Sequence, residues 1–150
     1  METKNILINL RKKHGLTQEE MAEKFFITRQ AVSEWETGKA TPNNETLKLI
    51  SKEFNISINT ILGSPQRLIC QCCGMPLEDE FISRETDSSF NEDYCKWCYK
   101  DGEMVYKSLD ELMAFLVPHM AEMFHKNEED MKIMLEAQLP NLKHWKEKAV

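Results

Sequence analysis

Over the first 63 positions, apolar residues recur at three- and four-residue intervals in short blocks, each closed by a breaker, which is the pattern of short amphipathic helices. Ile6, Leu7 and Leu10 mark a helix over 5–13 that ends in Arg11, Lys12 and Lys13. Basic residues there complement the helix dipole, and Gly15 suits a left-handed C-terminal cap. Thr17-Gln18-Glu19-Glu20 then reads as a capping box opening a second helix, with Met21, Ala22 and Phe25 on its apolar face. A short turn at Phe26-Ile27 leads to Thr28, the expected cap of a third helix, Arg29 to Glu36. Ala31, Val32 and Trp35 face inward on it, leaving Arg29, Gln30, Ser33 and Glu34 outward, and Gly38 ends it. A fourth helix over 44–54 follows Pro42-Asn43 and buries Leu47, Ile50 and Phe54. A short fifth, capped by Ser57, carries Ile61 and Leu62 and stops at Gly63. Short loops between short helices predict a compact five-helix bundle over 1–63.

The pattern changes at Gly63-Ser64-Pro65-Gln66, so 64–68 reads as a linker. Between 69 and 107, Phe81, Ile82, Phe90 and Tyr94 flank a turn at Asp87-Ser88-Ser89, enough for a small β-hairpin. Helical spacing returns in 108–150. Leu109, Leu112, Met113 and Leu116 run on from Ser108, and Pro118 is expected to interrupt or kink that helix. Met120, Met123 and Phe124 continue the apolar face on a following turn. Glu128 to Gln138 forms another helix with Met131, Met134 and Leu135 inward, ended by Leu139-Pro140. The fold class is therefore mainly α: a bundle, a small hairpin module and a helical tail packed on it.

Composition narrows the function classes. The chain has 150 residues, 41% hydrophobic and 29% charged, and no apolar run approaches the roughly 18 residues of a membrane helix. Polar Glu2, Thr3, Lys4, Asn5 and Asn9 are unlike a secretory signal, so a cytoplasmic protein with reduced thiols is expected. Five cysteines then point to metal or redox chemistry rather than disulfides. Residues 1–66 hold 9 Lys and Arg against 8 Asp and Glu, whereas 67–150 hold 10 against 17. The acidic balance argues against a protein coated everywhere with nucleic acid but says little about one local basic face.

Two short helices joined by a tight turn, the second exposing Arg29 and Gln30 near its start, match what reading a major groove requires. The run Gly15-Leu16-Thr17-Gln18-Glu19-Glu20-Met21-Ala22, then Thr28-Arg29-Gln30-Ala31-Val32-Ser33-Glu34-Trp35-Glu36-Thr37-Gly38-Lys39, then Pro42, strongly resembles the phage-repressor (Cro-like, xenobiotic-response-element) helix-turn-helix family. The resemblance covers residues 4 to 63. It implies a lambda-repressor-like bundle, sequence-specific binding to operator DNA and a two-fold dimer. On the matching positions it implies that Gln18 anchors a backbone phosphate and that Arg29 and Gln30 read bases, since Arg grips guanine and Gln adenine through two hydrogen bonds. Ser33 and Glu34 lie one turn further along. Arg11, Thr17, Thr28 and Lys39 are placed for phosphates, where contacts set register rather than sequence; Thr17 and Thr28 are helix caps first.

Cys70-Gln71-Cys72-Cys73-Gly74 and Cys95-Lys96-Trp97-Cys98 form two Cys-x-x-Cys pairs with 21 residues between Cys73 and Cys95. Zinc takes four thiolates in a tetrahedron, and two such turns supply the four corners. Gly74 is expected to let the first turn close so that backbone amides point at sulfur. An iron–sulfur centre remains an alternative use of the same thiols. A thioredoxin-like site lacks its βαβ context, and a zinc deaminase would need an upstream His-x-Glu that is missing. Cys72 is left over as a free, oxidisable thiol or a passive filler. His119, His125 and His144 are further candidate donors, read here as solvated or packed. Residues 69 to 147 look like a bacterial zinc-ribbon family, through Cys70-Gln71-Cys72-Cys73-Gly74-Met75-Pro76-Leu77, Asn91 to Gly102, and Leu139-Pro140-Asn141-Leu142-Lys143-His144-Trp145-Lys146. That resemblance implies Zn2+ on Cys70, Cys73, Cys95 and Cys98, and places Ser83 and Ser88 where the family has hairpin glycines.

No nucleophile–base set, phosphate loop or open metal position is visible, so an enzyme is not expected. The reading is a DNA-binding transcriptional regulator with a structural zinc site. The competing reading is an interaction or antitoxin-like module whose ribbon docks a protein partner through the C-terminal half.

Overall fold

The computed structural model describes residues 1–148. Its chain divides into two compact units, residues 1–67 with 88–90, and residues 68–87 with 91–148.

The first unit holds α1 (Thr3–Lys13), α2 (Gln18–Lys24), α3 (Arg29–Thr37), α4 (Asn44–Phe54) and α5 (Ile58–Ile61). Side-chain caps open the last four. Thr17 accepts from the Glu20 N–H while Glu20 accepts from the Thr17 N–H, completing the capping box; Thr28, Asn43 and Ser57 cap α3, α4 and α5. Each cap satisfies one of the amides that a helix start leaves without a partner. Leu7, Met21, Ala22, Phe25, Val32, Trp35, Leu47, Ile50, Phe54 and Ile61 form one buried cluster, with Leu10, Leu16, Ile27 and Ala31 packed at its margin. Leu62 falls just outside α5 as its C-cap and lies exposed, while Ile61 is buried and Ile58 packs at the margin of the core.

The second unit opens on an isolated antiparallel bridge, Ile69 to Pro76, closing the first cysteine turn. Strands β1 (Ile82–Arg84) and β2 (Phe90–Cys95) pair, and β3 (Tyr99–Lys100) pairs antiparallel with β4 (Glu103–Met104) in the register Tyr99 to Met104 and Lys100 to Glu103. Asp101 and Gly102, at φ +53° and +82°, form the two-residue turn whose twist suits such a hairpin. Ser88, one of the two serines at family glycine positions, has φ +72°; the other, Ser83, is buried and donates its hydroxyl to the Asn91 carbonyl.

Three helices follow: α6 (Leu109–Met123), α7 (Glu128–Gln138) and α8 (Lys143–Lys148), with a 3-10 turn, Leu139–Asn141, before α8. Leu112, Met113, Leu116, Ala121, Met131, Leu135, Leu139 and Trp145 are buried. Pro118 does not interrupt the helix; α6 runs through it. The residue lacks an N–H for the Ala114 carbonyl, and Ala114 and Pro118 both lie on the exposed side of the helix. Met123 and Phe124 are also exposed rather than inward. Leu139-Pro140 ends α7 at Gln138 as expected, and the 3-10 turn it opens leads into α8, a helix the sequence pattern does not announce.

Candidate nucleic-acid interface and metal centre

Val32 and Trp35 bury one face of α3 and thereby fix what the other face shows. Arg29 and Gln30, in its first turn, are exposed. The Arg29 side chain makes no hydrogen bond or ion pair among the described residues, while Gln30 Nε2 donates to Glu34 Oε1 at 3.2 Å along the same face. Ser33 is half-buried, and its carbonyl accepts from the Thr37 hydroxyl. Thr28 Oγ1 accepts from the Ala31 N–H at 3.1 Å, and Thr17 Oγ1 from the Glu20 N–H at 3.1 Å. Lys39 is exposed just beyond Gly38, whose φ of +79° turns the chain out of α3.

Arg11 and Gln18 converge on a residue that sequence reasoning left unassigned. Glu36 accepts from Arg11 Nε at 2.5 Å and Nη2 at 3.1 Å, and from Gln18 Nε2 at 2.9 Å. Arg11 Nη1 also donates to the Leu16 carbonyl at 2.9 Å. The pair is largely withdrawn from water, at 15% and 7% side-chain exposure. Burial alone would push the Glu36 carboxyl up, but hydrogen bonds from Arg11 and Gln18 outweigh it and hold the group below its ordinary value. A signal was present: a carboxylate in the last turn of a helix opposes the dipole unless something specific holds it there.

In the second unit, the sulfurs of Cys70, Cys73, Cys95 and Cys98 all lie within 4.8 Å of one another, with Cys73 and Cys95 at 3.8 Å. A regular tetrahedron of zinc–sulfur bonds has edges of about 3.8 Å, so the donor set fits a tetrahedral dication. Electrostatics agree. Side-chain hydrogen bonds from Cys73, Cys95 and Cys98 hold the Cys70 thiol far below its usual value, while its proximity pushes Cys73 up. Four thiols this close cannot all ionise without a cation among them.

Local structure sets these positions. The Gln71 N–H donates to the Asp93 carbonyl at 2.7 Å, tying the first cysteine turn to β2, and the Cys95 N–H points at Cys70 Sγ at 3.3 Å. Gly74, at φ +80°, sends its N–H to the Cys70 carbonyl at 2.8 Å rather than to a sulfur. Cys72 lies outside the four-sulfur group and is fully buried beside Cys98, the setting of an inert thiol rather than an oxidisable one. Its carbonyl accepts from Trp145 Nε1 at 2.8 Å, and Gln71 receives the N–H groups of Lys143 and His144. The residues from α8 that brace the first turn went unassigned in the sequence.

None of the three histidines joins the sulfur group. His119 stacks on Phe115, His125 is exposed, and His144 packs between Tyr94 and Trp145 with burial lowering its pKa.

Comparison with known proteins adds two family matches. Residues 69–146 match the family described as "Putative zinc ribbon domain", and residues 7–61 match the family described as "Helix-turn-helix". The chain is 44% identical over 66 residues to the HTH-type transcriptional activator BcrR of Enterococcus faecalis, a match spanning 44% of this chain and 32% of that protein. It is 38% identical over 60 residues to the antitoxin PezA of Streptococcus pneumoniae, spanning 40% and 38%. With the uncharacterized HTH-type transcriptional regulator YqaE of Bacillus subtilis it shares 26% identity over 112 residues, 75% of this chain and 87% of that one. The chain thus covers about a third of the activator and of the antitoxin. No solved structure gives a significant match.

Proposed function

From a chain that belongs to the "Putative zinc ribbon domain" family and carries a helix-turn-helix module ahead of its ribbon, we propose a sequence-specific DNA-binding transcriptional regulator with a structural zinc site. One observation carries the reading: Arg29 and Gln30 stand exposed on the first turn of a helix whose opposite face is locked in the core by Val32 and Trp35. That turn enters the major groove, where Arg29 pairs with guanine and Gln30 with adenine. Glu34 orients Gln30 from one turn away, and Ser33 lies beside it. Thr17, Gln18, Thr28 and Lys39 hold phosphates and set the register. Arg11 acts through Glu36, which fixes the Gln18 amide at the head of α2.

Cys70, Cys73, Cys95 and Cys98 would hold Zn2+, which when bound supplies folding free energy to a unit with little strand structure of its own. Four sulfur donors leave no open position for substrate. The protein works in the cytoplasm as a homodimer, because one recognition helix reads too few bases to be specific alone. The acidic second half is kept for protein contacts. Among the described residues no helix is long and apolar enough to cross a membrane.

Selection of bound fragments from random-sequence DNA, with zinc measured on the same preparation, tests both halves. Recovery of a common operator, bound at least about 10³-fold more tightly than random DNA at physiological salt, is the expected result. Weak, sequence-blind binding would overturn it and leave the antitoxin-like interaction module standing.

A further inference from the structure

Several helices of this chain end in one repeated device. A residue at positive φ returns its N–H three residues back, and the next residue returns its own five back. Gly15 bonds Lys12 while Leu16 bonds Arg11, both at 3.0 Å. Gly38 and Lys39 do the same to Trp35 and Glu34, and Gly63 and Ser64 to Thr60 and Asn59. Between α2 and α3 the pattern recurs, with Phe26 to Glu23 at 3.3 Å and Ile27 to Ala22 at 2.9 Å, but the residue at φ +56° is a phenylalanine. The other non-glycine residues at positive φ among those described are Asn55, Ser64, Ser88, Asp101 and His125, all with polar side chains. A bulky hydrocarbon residue in this region is an outlier.

The ring gains nothing in the free protein. Phe26 is 92% exposed, the highest value among the exposed large apolar residues. Its backbone is nevertheless firmly held: Phe25 is in the core, Ile27 packs against it, and Thr28 caps α3. The ring therefore stands at a fixed place, two residues before that cap and three before Arg29.

We propose that Phe26 is a further operator-contacting residue, whose ring covers apolar surface of the operator when the first turn of α3 is seated. This rests on the DNA-reading role proposed above. The apolar group that a base edge shows in the major groove is the thymine C5-methyl, which phenylalanine contacts favourably; the deoxyribose face offers the same chemistry on the groove wall. Because the turn is already ordered, covering the ring costs little conformational entropy. Strained residues that the surrounding structure over-determines cluster at such functional places.

The test compares full-length wild type, Phe26→Gly and Phe26→Asn on the selected operator and on random DNA. Both variants suit positive φ, so both should melt no lower than wild type. The expected result is operator affinity lowered about tenfold or more, as burial of one aromatic ring predicts, with random DNA less affected. Operators carrying uracil for single thymines identify the source. A position that weakens wild type but not Phe26→Gly assigns the methyl, and indifference to every uracil, with Phe26→Gly still weaker, assigns the deoxyribose. Equal operator affinity of all three proteins would overturn the contact. So would a loss matched by weaker self-association of DNA-free protein, which would place the ring between protomers. If wild type prefers no sequence at all, the DNA-reading role itself fails, and this contact with it.

Discussion

Arg11 and Glu36, 25 positions apart, meet in a two-point ion pair that joins the end of α1 to the end of α3, with the amide of Gln18 completing the cradle. The pair ties α3, the helix that would read bases, to α1, and Gln18 ties the same carboxylate to the head of α2, where a phosphate would be gripped. Its strength decides how rigidly the two are presented.

Removing one partner from so enclosed a pair leaves the other charge stranded. Glu36→Gln should destabilise the first unit by on the order of 3 kcal/mol, read from urea unfolding of the full chain through the amide signals of Val32 and Ile50. The pH dependence has a definite sign. Glu36 is held below its ordinary value of 4.5 in the folded chain, so its stabilisation is complete above that value and fades as pH falls through the lower, folded one. Wild type should lose stability in acid more steeply than Glu36→Gln; parallel acid profiles would show the carboxylate contributes nothing.

Gln30 and Lys39 should separate readout from attraction. Gln30→Ala is expected to lose about 1–3 kcal/mol of discrimination at one operator position, with random DNA bound as before. Lys39→Ala should weaken every sequence alike and reduce the salt slope by about 1. Competition binding across single-base operator variants at three salt concentrations distinguishes them, and identical profiles would refute the division of roles.

Cys95→Ser takes one corner from the four-sulfur cluster. Zinc content should fall well below one equivalent and the second unit should lose amide protection, while Val32 and Ile50 stay protected. Stoichiometric zinc with a protected ribbon would contradict this.

Trp145 offers a subtler test, because its indole N–H holds the Cys72 carbonyl inside the first cysteine turn. Trp145→Phe keeps most of the packing and removes the donor, at a cost of about 1–3 kcal/mol for the orphaned acceptor. Zinc should pass to a competing chelator about tenfold faster than from wild type. An unchanged transfer rate would mean that α8 does not brace the site.

Local chemistry was legible in the chain wherever a few neighbouring residues settle the outcome. Thr17, Thr28 and Ser57 announce helix starts because a hydroxyl at that position reaches an amide two or three residues on, whatever surrounds it. The Cys-x-x-Cys spacing announces a ligand pair because a tight turn alone brings those sulfurs together. The β3–β4 hairpin was missed although Asp101-Gly102 signals it, since strands of two residues show no alternation to notice.

What local sequence could not convey lies in the contacts made at long range. Pro118 is a helix breaker by itself, yet α6 passes through it on its exposed side. Arg11 reads as a phosphate ligand until folding brings Glu36 to it, and Trp145 has no role of its own in the sequence until α8 sets its N–H against Cys72, 73 residues earlier. Thus the order of the first five helices, the caps Thr17, Thr28 and Ser57, and the two Cys-x-x-Cys turns were determined by sequence alone, through bonds spanning a few residues. Which charges are consumed, which rings stay bare, and what steadies the cysteine turns were decided by the tertiary structure, because burial and partnership belong to surfaces that exist only once the chain has closed on itself.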